Sequence, residues 1–135
     1  MENQIKIGLR HTEKLMVTAR DTAHAVGNSG AHVFSTPAML LLIENTCGAT
    51  IQPALTAGQI TVGIMANFDH LAATPVGMMV RCDAEVIEID RRRIRFAVTL
   101  YDEVEKVGEG VHDRFVIDNA EDFVAKTNAK SAAKS

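Results

Sequence analysis

Residues 37–43 read Pro-Ala-Met-Leu-Leu-Leu-Ile, and Ala49, Ile51 and Leu55 carry the apolar character further along the chain. A helix that is apolar on nearly every side is one enclosed by a core rather than one lying on its surface. Ser35-Thr36-Pro37 marks its start: a hydroxyl suited to the N-cap, then a proline whose missing N–H costs nothing in the first turn. The spacing predicts a helix over residues 37–52, ended by Pro53 and Gly58. Glu44 interrupts this stretch. An ionisable group inside a buried helix has lost much of its water and needs a partner or a chemical task. Taken alone, it could equally be a carboxylate that reaches solvent near Gly48 or pairs with a base.

Around the helix the pattern is that of strands. Leu15, Val17 and Ala19 alternate with Lys14, Met16 and Thr18, which predicts a strand over residues 13–19, and Gly27-Asn28-Ser29-Gly30 then reads as a mobile loop. Beyond the helix, strands are predicted over 59–72, 78–89, 93–102 and 106–117. Thr74-Pro75-Val76-Gly77, Asp90-Arg91-Arg92 and a turn at 103–105 separate them. Ile94, Phe96, Val98 and Leu100 fall on one face, as in an antiparallel strand with one buried side. From residue 121 a short helix frays into a lysine-bearing end. The order is strand, long buried helix, four consecutive antiparallel strands in a meander. It predicts an α+β hot-dog fold, one central helix wrapped by one curved antiparallel sheet, in a single domain over residues 1–135. Such a wrap leaves an exposed edge, and dimerisation is the usual remedy. A homodimer is expected, with pairing into tetramers left open.

At 135 residues and 47% hydrophobic content the chain can bury most of the surface it exposes when unfolded. Its net charge of -3 excludes the overall basic field that draws nucleic acid or anionic membrane, so an anionic ligand needs a local site. No apolar run reaches membrane-spanning length, and Met1-Glu2-Asn3-Gln4-Ile5-Lys6 lacks the features of a signal peptide. A cytoplasmic protein is expected. Cys47 and Cys82, with no CxxC, fit reduced thiols, and no His/Cys/Asp cluster has metal-ligand spacing.

Four segments together carry a resemblance. They are Thr36-Pro37-Ala38-Met39 with Glu44 eight residues after the threonine; Gly63 seven residues before His70; the run from His70 to Gly77, His-Leu-Ala-Ala-Thr-Pro-Val-Gly; and Gly110-Val111-His112-Asp113-Arg114. In order and spacing, over roughly residues 5–125, they resemble the fluoroacetyl-CoA thioesterase family of hot-dog proteins. The resemblance implies hydrolysis of a small acyl-CoA thioester, with Thr36, Glu44 and His70 at the family's catalytic positions. It implies a backbone N–H at Gly63 that helps bind the thioester carbonyl, and Arg114 bordering the site. Coenzyme A then enters as part of the substrate and no cofactor is needed. Gly27 and Gly30 fall where the fluoroacetate-specific member carries two gating phenylalanines, so the acyl group stays open between two carbons and a longer or branched chain.

Each residue also has a plainer reading. Thr36 could simply cap the helix, or cap it and contact substrate together. His70 could be a strand-end histidine satisfied by the backbone, and His11, His24 and His32 read as solvated. His112 alternates with Arg114 and could line the same cavity. Arg91-Arg92-Arg93 reads as a solvated hairpin turn or as a contact for the phosphates of coenzyme A. Helix geometry adds a constraint of its own: eight residues at about 1.5 Å each hold Thr36 and Glu44 roughly 12 Å apart along the axis. Either Thr36 acts at the edge of the site, or the two meet across a subunit interface, which is the expectation adopted. A carboxylate and an imidazole in a partly dry cleft suit acyl transfer, Glu44 attacking the carbonyl or aligning water and His70 moving the proton. A hot-dog hydratase or dehydratase and a non-catalytic acyl-CoA or metabolite binder remain the alternatives.

Overall fold

The computed structural model describes residues 3–134. Strand β1 (Arg10–Met16) leads through a looped segment to helix α1 (Thr36–Ile51), which is followed by β2 (Ile60–His70), β3 (Met79–Asp90), β4 (Arg93–Tyr101), β5 (Lys106–Ile117) and a second helix, α2 (Ala120–Ala133). The strands form one antiparallel sheet in the order β1-β3-β4-β5-β2. This is the hot-dog arrangement of a curved sheet around a long helix. The predicted four-strand meander needs correcting, because only β3, β4 and β5 are successive neighbours. Strand β2 lies at the opposite edge beside β5, and the connection 71–78 crosses the end of the sheet to reach β3. That crossing is pinned: the Phe34 N–H donates to the Thr74 carbonyl at 2.8 Å, and the Thr74 hydroxyl donates to Asp102 at 2.9 Å.

The core lies between α1 and the concave face of the sheet. Met39, Leu42, Ile43, Thr46, Cys47, Thr50 and Ile51 form a buried stripe with helical spacing against Val80, Cys82, Val86, Ile94, Phe96, Leu100 and Val107. The two buried threonine hydroxyls are satisfied within the helix, Thr46 donating to the Leu42 carbonyl and Thr50 to that of Thr46. The helix is therefore not enclosed on every side. Leu41 is 58% exposed and Glu44 is half-buried on the flank of the stripe. Strand β1 starts three residues earlier than predicted and ends at Met16, and the short helix expected from residue 121 is α2, capped by the Asn119 side chain and continuing to Ala133.

Along the inner face of β5 the side chains run Gly108, Gly110, His112, Arg114. The position of a Cβ on Gly108 is 2.8 Å from Met39 Sδ, so the start of α1 packs onto bare backbone. A Cβ on Gly110 would sit 2.3 Å from the Asn67 carbonyl oxygen and 2.5 Å from the Phe68 Cα, where β2 presses on β5. Only glycine allows the second approach, where the neighbour is backbone that cannot give way. Further along, the Arg114 guanidinium lies 3.7 Å from the Cβ position of Gly48.

Candidate active site

Two groups of polar side chains gather on the helix-facing side of β2. The first is at the start of α1. Ser35, not Thr36, caps the helix: the Ala38 N–H donates to the Ser35 hydroxyl at 3.0 Å. This corrects the plain reading of Thr36 and leaves its hydroxyl free to meet His70, with Oγ1 2.9 Å from Nδ1. The His70 ring is half-buried, and burial pushes its pKa below the ordinary histidine value, partly offset by the Ala72 backbone. Its Nε2 is sealed from solvent and has no hydrogen-bond partner among the described residues. A buried polar atom left unpaired is rare in native proteins, and a catalytic role is one reason for keeping one. Beside it opens a cleft of about 320 Å³ with largely apolar walls, including Ala23, Val33, Phe34 and Leu71.

The second group lies at the middle of the helix. Glu44 Oε1 is 2.7 Å from the place a Cβ on Gly63 would take, and His112 Cε1 is 3.1 Å from the same point. The carboxylate thus occupies the volume that glycine leaves empty. Arg114 donates from Nε to the Thr61 hydroxyl at 2.9 Å and from Nη2 to the Thr61 carbonyl at 3.0 Å, while Nη1 lies 3.2 Å from His112 Nε2. Burial lowers the Arg114 pKa, and the nearby Glu44 carboxylate opposes that shift. His112 is 1% exposed, with Nδ1 2.8 Å from the Met65 carbonyl oxygen. Its pKa is lowered, by burial first; the Met65 carbonyl raises it, Arg114 lowers it, and Glu44 and Asp113 raise it.

Of the residues singled out in the sequence, Thr36 and His70 thus meet each other, Glu44 meets Gly63, and Arg114 is the cross-strand partner of Gly63, its charge felt by Glu44 without an ion pair among the described residues. The imidazole beside Glu44 is that of His112, for which the sequence offered only its alternation with Arg114. Asp113, next to it, points away and is held below the usual carboxylate range chiefly by Arg95, at 2.8 and 3.0 Å. The arginines of the β3–β4 turn are largely engaged with carboxylates, Arg92 with Asp118 and Arg93 with Glu88. Cys47 and Cys82 are free and buried; burial pushes the Cys82 thiol up to about 11 and Cys47 upward as well, which removes both as nucleophiles near neutral pH.

The backbone superposes on a hot-dog-like protein from Thermanaerovibrio acidaminovorans with a TM-score of 0.86 at 18% identity, over 93% of each chain, a likeness of fold alone. A phenylalanine-to-alanine variant of the fluoroacetyl-CoA-specific thioesterase FlK superposes with a TM-score of 0.88 at 30% identity, over 96% of this chain and 99% of that one. In sequence, the fluoroacetyl-CoA thioesterase of Streptantibioticus cattleyicolor is 32% identical over 139 residues, covering 98% of this chain and 99% of the relative. Fold and site together define a thioester hydrolase of the hot-dog class. The profile of the fluoroacetyl-CoA-specific thioesterase family matches residues 17–120, and the chain belongs to that family.

Proposed function

We propose that this chain hydrolyses small acyl-CoA thioesters at a site completed by a second copy of itself. The observation that carries the reading is Glu44, its carboxylate seated in the space that Gly63 leaves, in a thioesterase-family fold. Water adds to the thioester carbonyl, the C–S bond breaks, and acid and thiol depart. Glu44 either attacks the carbonyl, giving an anhydride that water opens, or aligns the water directly. The Gly63 N–H stabilises the oxyanion, a contribution of a few kcal/mol in typical hydrolases. His70, neutral at rest, takes the proton of the incoming water and passes it to the departing sulfur, Thr36 orients its ring and places the acyl group, and Arg114 borders the pocket. Coenzyme A is needed only as part of the substrate.

Two distances favour a shared site. Thr36 and Glu44 are roughly 12 Å apart along the helix, and Gly63 and His70 are seven residues, roughly 23 Å, apart along an extended strand. One chain therefore holds both half-sites but does not join them. Strand β2 is an edge, Ile64 on it is 52% exposed, and Leu41 of α1 is also uncovered. Antiparallel pairing of two β2 edges about a twofold axis near Ala66 and Asn67 would set His70 of one subunit opposite Gly63 of the other. No helix among the described residues is long and apolar enough to cross a membrane. The two free thiols fit a reducing compartment, and we place the protein in the cytoplasm.

A panel of short acyl-CoA esters followed for free thiol tests the activity, with Glu44→Gln as control. Thiol release lost in the variant supports it. An absorbance change of the acyl chain without release would make the protein a hydratase, and tight binding with neither would make it a carrier or sensor. Mixing Thr36→Ala and Glu44→Ala subunits tests the shared site: random exchange should restore about a quarter of wild-type activity, since half the dimers carry one intact site. No restoration would place each site within one subunit.

A further inference from the structure

Cross-strand partners share a face of a sheet. Gly63 pairs with Arg114, Ala66 with His112, Phe68 with Gly110 and His70 with Gly108; these β5 residues alternate on one face, which Gly108 and Arg114 show to be the face toward the helix through Met39 and Gly48. Before position 64 the odd-numbered residues of β2 therefore face the helix; after it the even-numbered ones do. The change occurs at a bulge between Gly63 and Met65, where Ile64 is the extra residue. Gly63 and His70 are an odd number of residues apart. In a regular strand they would lie on opposite faces, and only the bulge turns both half-sites toward α1.

We propose that His112 is the positioning residue that holds this bulge and, through it, presents Gly63 and Arg114 to Glu44. The first residue past the bulge, Met65, offers its carbonyl to His112 Nδ1 at 2.8 Å. On the other side of the ring stands Arg114, a group with donors only. A carbonyl can only accept and a guanidinium can only donate, so a single form satisfies both: Nδ1 carries the proton and Nε2 is a bare acceptor. The ring stacks on Phe96 and is closed to solvent, so water cannot take its place in either contact. His112 thus ties β5 to β2 at the one point where the strand changes face, and fixes the guanidinium that borders Glu44. Both of its ring nitrogens are taken up by these two contacts, so it acts through the groups it places. The proposal rests on the thioesterase reading only for its effect on turnover.

Three measurements test it. In the wild-type protein, long-range ¹H–¹⁵N NMR at pH 7 should show His112 as the Nδ1–H tautomer; an Nε2–H ring or a doubly protonated one overturns the proposal without any variant. His112→Phe keeps the ring shape and removes both contacts, whereas His112→Asn keeps a donor for Met65. A misplacement of about 1 Å is worth on the order of 100-fold in rate. His112→Phe should lose that in kcat with KM nearly unchanged, and His112→Asn should recover most of it. A folded His112→Phe protein with wild-type kcat, or an Asn variant as slow as Phe, refutes the positioning role. NMR contacts of the Gly63 and Ile64 amides with β5 should show the bulge shifted in the Phe variant and retained in the Asn variant. An unchanged bulge in the Phe variant refutes the inference. A wild-type protein with no thiol release but a bulge that follows the residue at 112 refutes the enzymatic reading alone.

Discussion

Replacing Gly63 with alanine places a methyl carbon 2.7 Å from Glu44 Oε1 and 3.1 Å from His112 Cε1. Ordinary contact begins near 3.4 Å, so the carboxylate must retreat by about 0.7 Å and the imidazole by about 0.3 Å. The Glu44 carboxylate ends a flexible side chain, and the backbone at Gly63 is not in the left-handed region. Stability should therefore change little, by about 1 kcal/mol in either direction, since alanine also loses less chain entropy than glycine in a strand. Turnover should not be so forgiving. A displacement approaching 1 Å of a reacting group costs on the order of 100-fold. Gly63→Ala should melt within a few degrees of the wild type, about 4 °C per kcal/mol at this size, while releasing thiol from acetyl-CoA roughly 100-fold more slowly. Wild-type turnover in Gly63→Ala would refute the claim that the missing side chain makes room for the carboxylate. A variant that fails to fold would show that the niche cannot relax.

Gly110→Ala should behave in the opposite way, because its methyl would strike β2 backbone; a loss of about 3 kcal/mol or more is expected by urea titration. Ser35→Ala and Thr36→Ala should separate as neighbours with different tasks. The first loses the helix cap and about 1 kcal/mol of stability; the second should melt like wild type and lose activity, both read from melting curves and thiol release. His70 and His112 both have pKa values below the ordinary 6.5, so both fold as neutral rings. The stability this contributes is present above pH 6.5 and is lost as pH falls below it toward the lowered values. Melting temperature should drop across that range, and less steeply in His112→Asn.

Periodicity made the long elements legible. The helix predicted over 37–52 is α1 with its bounds moved by one residue, and β5 coincides with the predicted 106–117, because both have a sustained pattern and clear stop signals. Strand partners were not legible. Four strands in sequence suggest a meander, but alternation carries no label for a neighbour, and β2 leaves for the far edge. The bulge at Ile64 was hidden because Gly63-Ile64-Met65 looks like regular alternation; the only trace was the odd spacing of Gly63 and His70. Ser35 and Thr36 are adjacent hydroxyls equally suited to capping, and only the position of His70 separates them. His112 was weighed on its alternation with Arg114 alone, which says which face it occupies and nothing of the carbonyl it bonds.

The inner face of β5 works as a graded spacer under the helix, two bare positions followed by a ring and then a guanidinium. The early turn at Met39 lies against Gly108 and the later turn at Gly48 lies against Arg114, so the helix meets bare backbone near its start and a long side chain beyond Glu44. The niche that holds the Glu44 carboxylate lies between those two contacts, bounded by side-chain size at alternate positions of a single strand. A larger substituent at 108 would press on Met39 at the start of the helix, one turn from Thr36, whereas one at 110 would push β2 away from β5 at Asn67 and Phe68. This makes β5 the place where pocket dimensions can be tuned without changing any group that takes part in the chemistry.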